Sequence, residues 1–106
     1  MKIYELRIAY IAWENSGKHR PALILSFDGD RVFVYAITTQ YENKSARVKN
    51  NYFAIKDWQH AGLRKPSYVD TNDIIKLPSF SVGNVPIGAL SPADEEGLID
   101  FLCGKI

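Results

Sequence analysis

Two apolar runs rich in β-branched and aromatic residues, 22–27 and 32–37, stand on either side of Asp28-Gly29. An Asp-Gly pair between two such runs is among the strongest local signals for a β-hairpin. The two runs therefore pair antiparallel, and the turn dictates which ends meet. Arg20 leads into the first strand, which Pro21 locks. Thr38-Thr39-Gln40 ends the second strand at the same open end of the hairpin. A cation and a pair of hydroxyls, far apart in sequence, are thus expected close together in space.

The rest of the chain reads as partners for this hairpin. Residues 3–12 alternate, with Tyr4, Leu6, Ile8, Tyr10 and Ala12 on one face and Glu5 and Arg7 on the other. That period of two predicts a half-buried strand. Residues 13–18 read as a polar loop. Residues 40–51 are polar, and Arg47 and Lys49 share a face if the segment is extended. Asn50-Asn51 signals a turn into a short strand over 52–55. Residues 56–61 read as one or two helical turns stopped by Gly62. Residues 67–69, 74–77 and 86–90 read as strand, and 78–85 as loop.

Ser91-Pro92-Ala93-Asp94 predicts a helix start, with a hydroxyl cap, proline in the first turn and carboxylates at the positive end of the dipole. Leu98, Ile99, Leu102 and Ile106 form its apolar stripe, and Gly104 is its stop. The expectation is a single domain over 1–106, α+β but mainly antiparallel β, with a C-terminal helix. A small strand-rich domain of this kind usually closes into a barrel.

Composition narrows the function classes. A formal net charge of +1 over 106 residues creates no global field for nucleic acid, so any such binding needs a local patch. The single cysteine, Cys103, allows no internal disulfide and reads as core. Glu5 and Arg7 interrupt any signal-peptide core, and run 32–37 is too short to span a bilayer. A cytoplasmic protein without membrane association is expected. One cysteine and two separated histidines give no metal-ligand spacing, and the isolated glycines make no phosphate loop. Neither metal nor cofactor is expected.

What remains is acid–base or phosphoryl chemistry by ordinary side chains. Arg20 is the leading candidate, because a guanidinium stays charged and forks onto phosphate oxygens. The alternative for Arg20 is a surface salt bridge. His19 titrates near neutrality in the ordinary case, and its alternative is a solvated loop position. Thr38 and Thr39 can donate to a phosphate, or can merely cap backbone at a strand end. Lys18, Lys44, Arg47 and Lys49 form a candidate anion-binding set, although a charge run is usually a solvated face. Trp13, Tyr41 and Trp58 are candidates for stacking on bases, whereas Tyr52 reads as core. His60 reads as a surface residue.

Residues 20–26, followed by Val34-Tyr35-Ala36-Ile37-Thr38-Thr39-Gln40, resemble the MazF/PemK/Kid family of toxin–antitoxin endoribonucleases. Gly62-Leu63, Lys65-Pro66-Ser67-Tyr68-Val69, Ile74-Ile75-Lys76-Leu77 and Ile87-Gly88-Ala89-Leu90-Ser91 continue the likeness in order over nearly the whole chain. The resemblance implies an SH3-like barrel of the type shared with the gyrase poison CcdB, usually homodimeric. It implies metal-independent cleavage of single-stranded RNA to 2′,3′-cyclic phosphate and 5′-OH ends, and a cognate antitoxin. The motif arginine and threonine correspond to Arg20 and Thr38. The loop before Arg20 is short, and no arginine stands in Val69-Asp70-Thr71-Asn72-Asp73, where Asp70, Asn72 and Asp73 are candidates for the acid. Asp70 or His19 would assist deprotonation of the 2′-OH. Two other readings are a non-catalytic SH3-like RNA- or protein-binding module and a CcdB-like topoisomerase inhibitor.

Overall fold

The structure, a computed structural model, describes residues 1–105. Its strands are β1 (Glu5–Trp13), β2 (Ser16–Asp28), β3 (Arg31–Thr38), β4 (Tyr52–Ala54), β5 (Tyr68–Pro78) and β6 (Gly88–Ala89). The helices are a single turn, α1 (Ala46–Lys49), and the C-terminal α2 (Pro92–Cys103), with a 3-10 turn at Ser79–Ser81. The strands form one antiparallel sheet in the order β4-β5-β3-β2-β1-β6. The sheet curls into a half-barrel, in keeping with the expected mainly antiparallel fold with a C-terminal helix.

The central hairpin forms as expected, with its turn displaced by one residue. Asp28 pairs with Arg31, so Gly29-Asp30 makes the two-residue loop, and Gly29 supplies its positive φ of 60°. The expected polar loop over 13–18 is mostly strand. Trp13 pairs with Ser16, leaving only Glu14-Asn15 as the turn, with Asn15 at φ 61°. Asparagine is one of the few non-glycine residues that enters this region readily. Gly17, Lys18 and His19 therefore extend β2 opposite Ala12, Ile11 and Tyr10.

Both faces of the sheet are buried, which corrects the reading of β1. Leu6, Leu23, Tyr35, Ile37 and Val69 face a core completed by Ile55, Ala61, Leu90 and Leu98. Ala9, Ile11, Ala22, Ile24, Val32, Val34, Ala36, Leu77 and Val82 fill the other face. The expected solvent face of β1 is thus a core face, and Glu5 and Arg7 are buried on it. Arg7 Nε donates to Glu5 Oε2 at 2.6 Å and its NH1 to the Gly83 carbonyl at 2.8 Å, so the charges are paired. Conversely, Ile8 and Tyr10 share the side of Leu6 yet are exposed, because they lie beyond the packed core.

Two irregularities shape the sheet. The β2–β3 register shifts between Ile24 and Ser26. On β5, Asp70 pairs with Ala36 while Ile75 pairs with Val34, so residues 71–74 bulge outward. The two expected strand pieces 67–69 and 74–77 are therefore one bent strand. Bulges of this kind re-aim side chains and concentrate near functional sites.

The segment after β4 is a series of turns, where helical turns were expected. Its conformation is held from α2. Asp94, only 1% exposed, accepts from the backbone N–H groups of Lys56 at 3.0 Å and Asp57 at 2.8 Å. Ser91 caps α2 by accepting from Asp94 N–H at 3.1 Å, and donates its own proton to Asp57 Oδ2 at 2.6 Å. Leu98 is fully buried and Leu102 half-buried, but Ile99 is exposed, so the stripe is narrower than expected. Cys103 is exposed, correcting its core reading, because it follows Leu102 around the helix. Ile106 lies outside the described residues. No helix among the described residues is long and apolar enough to cross a membrane.

Candidate functional site

A groove of about 840 Å³ runs between the open end of the β2–β3 hairpin and the loop that follows β4. That volume lies within the range of ligand-binding clefts, about 300–1,000 Å³. The hairpin contributes Lys18, His19, Arg20, Thr38 and Thr39. Ala22 pairs with Ala36, so continuing the same register sets Arg20 opposite Thr38. Thr38 pairs in turn with Tyr68, and Ala36 with Asp70, whose other neighbour is Tyr52. Strand alternation places Arg20, Thr38, Asp70 and Tyr52 on one face of the sheet.

Arg20 is the least satisfied group of the site. Its Nε is buried from solvent and has no hydrogen-bond partner among the described residues. Its guanidinium carbon lies 5.5 Å from the centre of the Trp13 ring, a cation–π contact that steadies the side chain. No acidic group of the described residues lies within salt-bridge distance of it. A buried donor left open at the edge of a groove is a position built for an acceptor brought from outside.

The other candidates surround Arg20 unevenly. Thr38 Oγ1 accepts from the Gln40 backbone N–H at 3.0 Å, so the hydroxyl caps backbone and still has its own proton to donate. Thr39 is exposed at the groove. His19 is exposed and packs edge-on against Tyr10, with ring centres 5.1 Å apart. Asp70 is oriented by Asn72, whose backbone N–H and Nδ2 both donate to Oδ1, at 2.9 and 2.8 Å. Asn51 Nδ2 holds Asn72 in turn at 3.1 Å. The second carboxylate oxygen of Asp70 takes no part in these bonds. Of the three acid candidates on this stretch, Asp70 is the one that lines the groove.

Tyr52 is buried but belongs to neither core. Burial pushes its phenol above the ordinary value, the Asp70 charge pushes the same way, and Arg20 pulls against both. Tyr52 thus feels the charges of both Arg20 and Asp70. Tyr41 stacks on Tyr68 with centres 4.5 Å apart, and Tyr52 joins them at 6.2 and 6.1 Å, forming an aromatic wall beside the site. Trp58 is partly buried against the main core, while His60 is exposed as expected.

The basic candidates divide. Lys18 and Lys44 line the groove. Arg47 and Lys49 do not, because their segment is helix α1, capped by Ser45, rather than an extended strand. Two residues apart on a helix, they point to opposite sides. Lys49 instead covers the Tyr41 ring at 4.7 Å and lines a separate hollow with Phe101. Sequence reasoning missed Arg64 and Lys65, which reach the groove from the loop after β4. The available signal was a basic pair bracketed by Gly62 and Pro66. With Lys18, Arg20 and Lys44, the groove gathers five cations against one carboxylate, Asp70. Among the described residues, no three His, Cys, Asp or Glu side chains cluster as a metal would require.

No protein-family model and no curated protein matches the chain. Solved structures do. A Mycobacterium tuberculosis toxin, MazF-mt6, superposes with a TM-score of 0.72 at 24% identity, covering 94% of this chain and 93% of its own. An Mtb toxin matches with a TM-score of 0.67 at 23% identity over 94% and 99% of the two chains. An endoribonuclease from a mycobacterial species matches with a TM-score of 0.66 at 16% identity over 97% and 88%. Over nearly its full length, the curled six-stranded sheet with its C-terminal helix is the fold of a MazF toxin.

Proposed function

We propose that this chain is the toxin of a toxin–antitoxin pair, an endoribonuclease that cuts single-stranded RNA without a metal ion. The observation that carries the reading is the open Nε of Arg20, set opposite Thr38 in a cation-lined groove that Asp70 also lines. The structural likeness to chains described as a MazF toxin and an endoribonuclease supports it.

The chemistry follows from the groups present. The scissile phosphate sits between Arg20 and the Thr38 hydroxyl, with Thr39 and Lys18 beside it. The free oxygen of Asp70 takes the proton from the substrate's 2′-OH. The 2′-oxygen attacks the adjacent phosphorus and the bond to the 5′-oxygen breaks, leaving a 2′,3′-cyclic phosphate and a 5′-OH. Arg20 stabilises the charge that grows on the phosphorane oxygens, which is where a preorganised donor contributes most. His19, at the groove, donates the proton to the departing 5′-oxygen. Because the nucleophile belongs to the substrate and the charge is met by Arg20, no step calls on a metal. Cytoplasmic action, a homodimer and an antitoxin that covers this groove belong to the same reading.

The test is incubation of the purified protein with a mixed RNA pool in excess chelator, followed by mapping of the ends. Cyclic phosphate and 5′-OH ends are expected. Cleavage that requires added magnesium would refute the mechanism. RNA that is bound and never cut would make the chain a binding module instead.

A further inference from the structure

Arg64 and Lys65 are exposed, yet they stand on a loop that is fastened in three ways. Asp94 receives the Lys56 and Asp57 N–H groups at the start of the loop. Gly62, at φ 86°, lies against the Ile87 carbonyl, and Gly88 against the Ala61 carbonyl, so closely that a Cβ at either position would collide with backbone. Ser67 Oγ donates to the Lys65 carbonyl at 2.8 Å and closes the far end. A solvated charged loop has no need of this rigidity. The two cations also find no acidic partner among the described residues.

We propose that Arg64 and Lys65 form a second phosphate site, which holds a phosphodiester flanking the scissile one on the same RNA strand. The inference rests on the nuclease reading above and extends it to two residues that reach the groove from a different element than Arg20. Lys65 offers a point charge and Arg64 a fork, and both match phosphate oxygens. Both groups are donors only, which suits the phosphate oxygens of the backbone. Their contribution is affinity and placement, shared between ground state and transition state. Asp94 is a positioning residue for the pair, acting through the loop.

The experiment compares wild type, the double variant Arg64→Ala/Lys65→Ala and a control, Arg31→Ala, at the distant hairpin turn. Binding of a fluorescein-labelled, random-sequence 2′-O-methyl RNA is measured by anisotropy over a range of salt concentrations. Single-turnover cleavage is followed on an unmodified oligonucleotide spanning a mapped cut site. Two lost contacts to a single strand should reduce the slope of log K against log salt by about 1.4. The rate at saturating protein should stay within about twofold of wild type, as for loss of uniform binding. An unchanged salt slope overturns the proposal, and so does a large fall in saturated rate with affinity intact. Wild type that neither binds nor cuts RNA overturns the nuclease reading itself, a result distinct from wild type that cuts and a double variant that binds equally well. Melting curves run alongside, and Arg64→Gln with Lys65 intact replaces the double variant if that variant unfolds, with an expected slope change of about half.

Discussion

Replacing Arg20 with methionine separates catalysis from stability. Two opposed contributions meet at this side chain. The contact with Trp13 at 5.5 Å stabilises the fold by about 0.5–1 kcal/mol at an exposed site. The buried, unpartnered Nε costs about 1–3 kcal/mol, the desolvation of a donor that receives nothing in return. Methionine keeps an unbranched stem that fills similar space and carries no donor. The variant should therefore be as stable as wild type or more stable, by up to about 2 kcal/mol. For a domain of this size, each kcal/mol moves Tm by about 4–8 °C. Cleavage should fall by about 10²–10³, the usual consequence of losing one preorganised donor to the transition state. Arg20→Lys should remain slow, because an ammonium cannot reproduce the fork. The assay is single-turnover cleavage of one oligonucleotide at saturating protein, with calorimetric melting on the same preparation. A folded Arg20→Met protein that cuts at the wild-type rate removes Arg20 from the site. A Tm clearly below wild type shows instead that the guanidinium holds the fold together.

Other consequences are equally direct. Asp94→Asn should lower stability by about 1–3 kcal/mol, since one of the two backbone N–H groups held at 2.8 and 3.0 Å loses its acceptor; proteolysis should then begin within 56–65, and uniform destabilisation without it would contradict the clamp. Burial pushes the Glu5 carboxyl up, but the Arg7 hydrogen bond, the Lys2 backbone N–H and the charges of Arg7 and the N-terminus outweigh it and leave its pKa below the ordinary 4.5. Its stabilisation is thus present above pH 4.5 and lost as pH falls below it, and Glu5→Gln should flatten the acid limb of Tm against pH. Burial raises the Tyr35 phenol above 10.0, with the Tyr4 charge adding to it, so its contribution is intact below pH 10.0 and lost above it. Tyr35→Phe should melt later than wild type under strongly alkaline conditions, and equal alkaline melting would refute this. His19→Asn should slow single-turnover cleavage with RNA affinity kept, as loss of a proton donor that acts only in the transition state does, and an unchanged rate would remove His19 from the mechanism.

The hairpin and the helix cap were legible because each depends on neighbours in sequence. Gly29 and Ser91 act within a few residues of themselves, and local chemistry suffices to place them. The register then carried Arg20 to Thr38 without further information. Two kinds of residue were not legible for a common physical reason. Glu5 and Arg7 look like a solvent face because charge normally avoids burial, but here each neutralises the other on a sheet covered on both sides. Arg64 and Lys65 look like an ordinary exposed pair, because their rigidity comes from Asp94 and Gly88, some 20–30 residues away in sequence. The misreading of Arg47 and Lys49 followed from one local competition. Ser45 accepts from Val48 N–H at 3.3 Å and nucleates a helical turn where an extended strand would have aligned the two cations.

Net charge was the weakest guide, and the structure shows the physical reason. Thirteen basic and twelve acidic residues nearly cancel over the chain. The groove does not share that balance, since five cations line it beside a single carboxylate. The missing negative charge is elsewhere: α2 alone carries Asp94, Glu95, Glu96 and Asp100, none of which lines the groove. Field decays over about 8–10 Å at physiological salt, so a polyanion entering the groove responds to the cations near it and little to the distant acids. A near-neutral chain can thus present a strongly positive site. The same segregation leaves Asp70 as the one acidic group there. Its neighbours Asn72 and Asn51 are neutral amides that orient its carboxylate without adding repulsion toward phosphate. An acid at position 72 would place a second negative charge against the Asp70 carboxylate. Asn72→Asp should therefore weaken RNA binding and depress cleavage together, whereas Asn72→Ala should release Asp70 and slow cleavage with binding kept. If both substitutions act alike on binding, the amide is not what protects the charge balance of the groove.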